Sequence, residues 1–379
     1  MIRPATWYAL VFPLGAALAQ QPAADTVGHA WRYTSDGMSF VVEVIATGIR
    51  CPVAVAFLPD GRMLVAERRS GKLLALRLQD RSRVEVEGLT GVLTDSVDAG
   101  LLDVVLHPDY RTNGWIYLAY SFDRAGGSTT AVDRARLQGN RLVDVQRLFQ
   151  TSPMVAGMEH YGGRLLLRGG YLFITAGDRN TRDQAQYLGD HHGKILRLRD
   201  DGTVPSDNPF VGRAGAMPEI WTLGHRNPQG LAVHPVTGEL WENEHGPRGG
   251  DEVNIIRRGR NYGWPLITYG KEYDNTTIGD GRTARPGMEQ PIRHWEPAIA
   301  PGSLAFYTGD QLPAWKGNLF SGALAGLHLN RLVLDGHTVV REERLLTDRR
   351  WRVRSVTQGP DGFLYIGVDG GMVLRIRPG

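Results

Sequence analysis

The stretch VAVAFLPDGRMLVAE, residues 53–67, decides the fold. An apolar run of strand length is followed by Pro59-Asp60-Gly61 and then by a second apolar run. Proline presets one turn dihedral, aspartate bonds back to nearby backbone, and glycine accepts the left-handed conformation. The phrase therefore reads as two antiparallel strands joined by a tight turn. It recurs as LLDVVLHPDYRTNGWIYLAYS (101–121), LLLRGGYLFITAGD (165–178), GLAVHPVTGELWENE (230–244) and VRSVTQGPDGFLYIGVD (353–369). A weaker copy, SLAFYTGDQLPAWKGNLFSGAL, covers 303–324. Each pair is read as followed by another short strand, such as LLALRL (73–78), KILRL (194–198) or VLRIRP (373–378). Six copies of a three- or four-strand unit predict an all-β chain, a six-bladed β-propeller of four-stranded antiparallel blades. The alternative is a β-sandwich with coincidentally similar turns, which the end-to-end recurrence disfavours. One propeller domain is expected over residues 42–379, after an N-terminal segment at 20–41.

Composition agrees. Among 379 residues are 48 Gly and 21 Pro without any collagen period, which suits a turn-dense β protein. Hydrophobic residues make 42% and charged residues 22%, ordinary for a packed globular chain. The 43 basic and 40 acidic residues are interspersed, so no concentrated basic face exists for nucleic acid. A single cysteine, Cys51, excludes an intramolecular disulfide framework and a cysteine-based zinc site. Arg3, the apolar stretch Trp7–Leu18 and the small-x-small triplet Ala17-Leu18-Ala19 read as a secretory signal peptide over residues 1–19. About twelve apolar residues are too few to cross a bilayer, which needs roughly 20. A periplasmic or secreted protein, with no membrane association after cleavage, is expected.

Polar residues gather in the middle third. GMEHYGGRL (157–165) places Glu159 and His160 just ahead of a strand. GHRNPQGL (224–231) packs Arg226, Asn227 and Gln229 before another; the permanently charged Arg226 suits fixing an anion or polarising a carbonyl. ENEHGPRGGDEVNII (242–256) spaces four carboxylates with Gly and Pro, which fits either a hard cation or a solvated acidic turn. GRNYGWP (259–265) holds Tyr262 and Trp264 between Gly and Pro. In RRWRVRSV (349–356), Arg352 and Arg354 fall on one face of a strand by the period of two. Two such guanidinium groups repel unless an anion or a carboxylate lies between them.

Taken together, these segments resemble the soluble quinoprotein glucose/sorbosone dehydrogenases, and most nearly their aldose sugar dehydrogenase branch. GLLDVVLHPDY, EHYGGRL, GHRNPQG, EHGPRGGDE, NYGWP and the terminal PDG turn match in order over roughly residues 42–378. The resemblance implies pyrroloquinoline quinone (PQQ) over the central channel, with Ca²⁺ bridging cofactor and protein. It implies oxidation of an aldose at C1 to its lactone, with hydride passing to the quinone and electrons to a soluble acceptor. His160 matches the general base and Glu159 a neighbouring acid that supports it. Arg226 matches the residue against the quinone carbonyls, and Asn227 and Gln229 complete that polar wall. Arg352 and Arg354 match the pair gripping PQQ carboxylates. The carbonyls of Gly246 and Pro247 match the ligands of the cofactor's calcium, Glu252 and Tyr262 a second calcium site, and Trp295 an aromatic near the substrate mouth.

The chain departs from that family at two places. Ala325 stands where a lysine contacts PQQ, and Asp98 where a glutamine precedes GLL; Arg331 is a candidate to restore the missing charge. Two other functions compete with the sugar dehydrogenase: a non-catalytic propeller binding module, and a calcium-dependent propeller lactonase, which needs several carboxylate and Asn side chains converging on a central ion.

Overall fold

The computed structural model describes residues 26–94, 96, 98–124 and 126–379, so the expected signal peptide lies outside the described residues. Each hairpin phrase becomes the two innermost strands of a blade. Blade 1 begins with Pro52–Phe57 and Arg62–Glu67, blade 2 with Leu101–Leu106 and Trp115–Arg124, and blade 3 with Leu165–Arg168 and Tyr171–Ala176. Blade 4 begins with Pro228–Val233 and Leu240–Glu244, blade 5 with Pro301–Phe306 and Leu319–Ala323, and blade 6 with Val353–Gln358 and Leu364–Val368. Every pairing within the blades is antiparallel, and the six innermost strands neighbour one another in chain order around a closed ring.

Blades 1 to 5 have four strands; blade 6 has five. Its third strand, Met372–Pro378, pairs with Met38–Thr47 from the other end of the chain, and that strand pairs in turn with Ala30–Ser35. The folded sheet thus starts at Ala30, and the expected boundary at Val42 falls inside the strand that closes the ring. Ala30–Ser35 and Met38–Thr47 form a hairpin of their own, and the second of these strands carries its other edge to the last strand of the chain.

The central strands of each blade are covered on both faces by neighbouring blades, so they read as continuous apolar runs rather than strict alternation. Among the described residues six clusters fall one to each junction, and a small seventh gathers Ala185, Trp264 and Ile278. Leu64, Leu118 and Val104 meet between blades 1 and 2, for example, and Met63, Val65, Tyr365 and Val373 between blades 6 and 1. Toward one end of the ring the blades converge until only glycine fits. A Cβ on Gly100, whose φ is +134°, would lie 1.8 Å from the Arg68 carbonyl oxygen, and one on Gly177 would lie 2.1 Å from that of His160. This crowded end carries the polar residues singled out above.

A polar cleft at the mouth of the central channel

His160 sits in the loop leading into the first strand of blade 3, with a left-handed φ of 51° that aims its ring across the channel mouth. Its Nδ1 lies 2.7 Å from Asp178 Oδ1. Asp178, at the end of the second strand of the same blade, is buried, and its other oxygen accepts the indole N–H of Trp264 at 2.7 Å. Burial raises its pKa, but the His160 hydrogen bond and the nearby His160 and Arg226 outweigh that and hold the carboxyl below its ordinary value. A carboxylate against Nδ1 favours the tautomer with its proton there, which leaves the Nε2 lone pair to face the cleft. Asp178, not Glu159, thus partners the histidine: Glu159 is exposed, with Asn180 Nδ2 3.4 Å from its carboxylate.

Arg226 donates from Nη1 to the carbonyls of His245 (3.1 Å) and Gly246 (2.7 Å) and stands over the Trp264 ring. Asn227 Oδ1 accepts from Gln229 Nε2 at 3.0 Å and from the Gly162 amide at 3.3 Å. With His160, Arg226 and Asn227, a cleft of about 650 Å³ is lined by Gly246, Pro247, Ala325 and Asp98. Asp251 braces its floor, accepting from the amides of Gly246 (2.8 Å) and Ala300 (2.6 Å). His245 is half-buried, and desolvation pushes its pKa down to about 3; as a neutral ring its Nε2–H bonds the Pro301 carbonyl at 2.8 Å.

Deeper in the channel, a cavity of about 120 Å³ is bounded by Arg352, Arg354, Gln229, Tyr161 and Arg68. The repulsion between the paired arginines is relieved by Asp369: Arg354 Nη2 reaches it at 2.8 Å and Arg352 Nε at 3.1 Å. Burial raises the Asp369 pKa, but the Arg354 bond overrides it and holds the carboxyl well below the usual range. Two functional candidates, Asp178 and Arg68, were missed by motif reading. Asp178 was visible only as the last letter of LFITAGD, and Arg68 only as one of two arginines after a strand.

The expected second metal site is placed differently from the channel. Glu252 is partly buried beside Glu242 and Glu244, and all three carboxylates lie within 3.5 Å of the single Asn254 amide nitrogen, which has only two hydrogens to give. Glu242 Oε1 is buried with no hydrogen-bond partner. Burial and the charge of Glu244 push the carboxyl pKa values of Glu242 and Glu252 upward. Tyr262 stacks on His225 at 4.7 Å, and its hydroxyl donates to the Ile255 carbonyl at 2.6 Å and accepts the Arg257 amide at 2.8 Å.

Two residues are elsewhere. Trp295 is buried between blades 4 and 5, its indole donating to Glu342 at 3.0 Å; the strand's register turns it into the core, while Glu296 and Pro297 line the cleft. Arg331 is buried and saturated by Asn318, Glu343, Asp36 and the Ala314 carbonyl, so it does not replace charge at Ala325.

Fold and cleft together define a closed six-bladed propeller with an arginine-rich polar cavity at the mouth of its channel. The chain belongs to the glucose/sorbosone dehydrogenase family, whose model matches residues 49–375, and it is an oxidoreductase. It is 41% identical over 344 residues to the aldose sugar dehydrogenase YliI of Escherichia coli, covering 89% of this chain and 92% of that enzyme. The apo-form crystal structure of the soluble aldose sugar dehydrogenase from E. coli superposes with a TM-score of 0.86 at 40% identity, covering 90% of this chain and 100% of that one. The PQQ-bound aldose sugar dehydrogenase of Streptomyces coelicolor superposes with a TM-score of 0.73 at 26% identity, covering 89% and 98%.

Proposed function

We propose that the protein is a PQQ- and calcium-dependent aldose sugar dehydrogenase that oxidises the anomeric carbon of a sugar to its lactone. The observation that carries this reading is the His160–Asp178–Trp264 chain opening beside four arginines, Arg68, Arg226, Arg352 and Arg354. Lactone formation removes one proton and one hydride from the sugar. His160, locked by Asp178 with its Nε2 lone pair free, takes the proton of the anomeric hydroxyl. Bound PQQ supplies the two-electron acceptor. Its three carboxylates suit a pocket walled by Arg352, Arg354 and the amides of Asn227 and Gln229, while Arg226 is placed to stabilise negative charge beside the carbonyls of Gly246.

The carbonyls of Gly246 and Pro247 would hold the cofactor's Ca²⁺. The Arg226 hydrogen bond uses one lone pair of the Gly246 oxygen and leaves the other for a hard cation. The second ion would lie by Glu252, where three carboxylates crowd one amide and Glu242 Oε1 lacks a partner. A lactonase with a central ion is disfavoured, because three arginines and a single carboxylate, Asp98, line the channel cavity. Export to the periplasm or beyond, and electron delivery to a soluble acceptor, complete the proposal; among the described residues no helix is long and apolar enough to cross a membrane.

The test mixes purified protein with PQQ and Ca²⁺ and follows dye reduction over a panel of aldoses. Reduction that needs both sugar and PQQ is expected; none with any aldose would overturn the assignment.

A further inference from the structure

We infer that Arg68 is a carboxylate-binding residue of the cofactor pocket, and that Asp98 is an internal carboxylate holding its place until a ligand arrives; this rests on the PQQ reading above. The other arginines at the channel mouth are already matched. Arg354 and Arg352 share Asp369, Arg352 also holds the Leu324 carbonyl at 3.0 Å, and Arg226 holds two carbonyls. Arg68 differs. Its side chain is 7% exposed and borders the same cavity as Arg352 and Arg354. Its Nη2 bonds the carbonyl and the carboxylate of Asp98, the latter at 3.2 Å, and its buried Nε has no hydrogen-bond partner. A guanidinium offers five donors, and a buried charged donor without an acceptor costs stability, so Arg68 is an under-satisfied cation.

Its present partner is loosely held. Charge-assisted N–H···O bonds settle near 2.7–2.9 Å, and the Asp98 side chain is 39% exposed. Asp98 therefore reaches water at little cost, whereas Arg68 has nowhere to go. Asp98 borders three spaces at once: the cleft beside His160, the channel cavity, and a larger outer cleft with Arg50, Arg69 and Glu159 on its walls. A ligand carboxylate entering the channel replaces Asp98 Oδ1 on Arg68, and the displaced side chain turns toward the outer cleft. No covalent bond changes. Arg68 thereby supplies positive charge that Ala325 does not, while Asp98 sets an electrostatic threshold against the same anionic ligand.

Isothermal titration of the calcium-loaded full chain with PQQ tests this, with the uncharged PQQ trimethyl ester as the control and thermal unfolding to verify the fold of each variant. Asp98→Asn should bind PQQ roughly tenfold tighter than wild type, and Arg68→Gln roughly tenfold weaker. Affinity for the triester should be the same in wild type and Asp98→Asn. Should Arg68→Gln not fold, Asp98→Asn and Asp98→Gln carry the test. PQQ affinity unchanged or weaker in folded Asp98→Asn overturns the inference and leaves the PQQ assignment standing, as does equal tightening for PQQ and triester. Absence of PQQ binding in wild type and in both Asp98 variants overturns assignment and inference together. A structure of the PQQ complex gives a second readout: Arg68 on a ligand carboxylate is expected, and Arg68 still on Asp98 Oδ1 refutes the exchange.

Discussion

His160 and Asp178 face each other from opposite sides of a junction where the backbone of one loop rests on a glycine of the other. A side chain at Gly177 would push the histidine's own carbonyl away, so the hydrogen-bonded pair depends on a missing Cβ. His160→Ala should reduce turnover by about 10²–10⁴ with PQQ affinity and unfolding temperature nearly unchanged. Asp178→Asn is the sharper test, because it keeps the imidazole but removes the charge that fixes its tautomer. Steady-state kinetics on the reconstituted enzyme should show a large fall in kcat with little change in KM. A variant at either position with near-normal kcat excludes the base assignment. His160 was legible in sequence because it follows a Glu in a recognisable phrase. Its true partner lies 18 residues downstream in a strand end that only the closed blade brings back.

At the scale of the element, blade 4 concentrates the metal-binding potential. Its second and third strands carry Glu242, Glu244, Glu252 and Asn254 in register, with Glu244 paired opposite Glu252 and Glu242 opposite Asn254. Like charges directly opposite in a sheet are destabilising, so the strand pair favours a bound cation as much as it tolerates its absence. A ligand present at 100 times its Kd stabilises the native state by about 2.7 kcal/mol. Chelator should accordingly lower the unfolding temperature by several degrees and calcium should restore it, with Glu252→Gln insensitive to both. A melting curve indifferent to chelator, with no calcium in elemental analysis, would refute a structural ion. The hairpins of this and the other blades were readable because turn chemistry and apolar runs are local. Trp295, matched by resemblance to an aromatic near the substrate mouth, lies in the core instead, because a motif match does not say which face of a strand an indole takes.

The whole molecule is held by a closure that no local pattern announces. Val42, fully buried in the strand that completes blade 6, pairs with Ile376 on one side and Trp31 on the other. Val42→Asp should cost about 4 kcal/mol or more by placing an unpaired carboxylate in that junction. Val84→Asp, at a residue 43% exposed on the outer strand of blade 1, should stay within about 0.5 kcal/mol. Urea unfolding of the two variants compares them directly, and equal losses would mean that the closing strand has no special weight. The propeller itself was evident from six repeated phrases, whereas the closing strand was not, since its partner lies more than three hundred residues away.

That pairing also sets an order of events as the chain is made. The strand at 38–47 leaves the ribosome early and can pair at once with 30–35, yet its other edge has no native neighbour until the strand at 372–378 has followed it. Throughout that interval an apolar edge stays unpaired while five blades collect behind it, and loop closure over such a span is slow. The final strand therefore acts as a latch on a waiting ring.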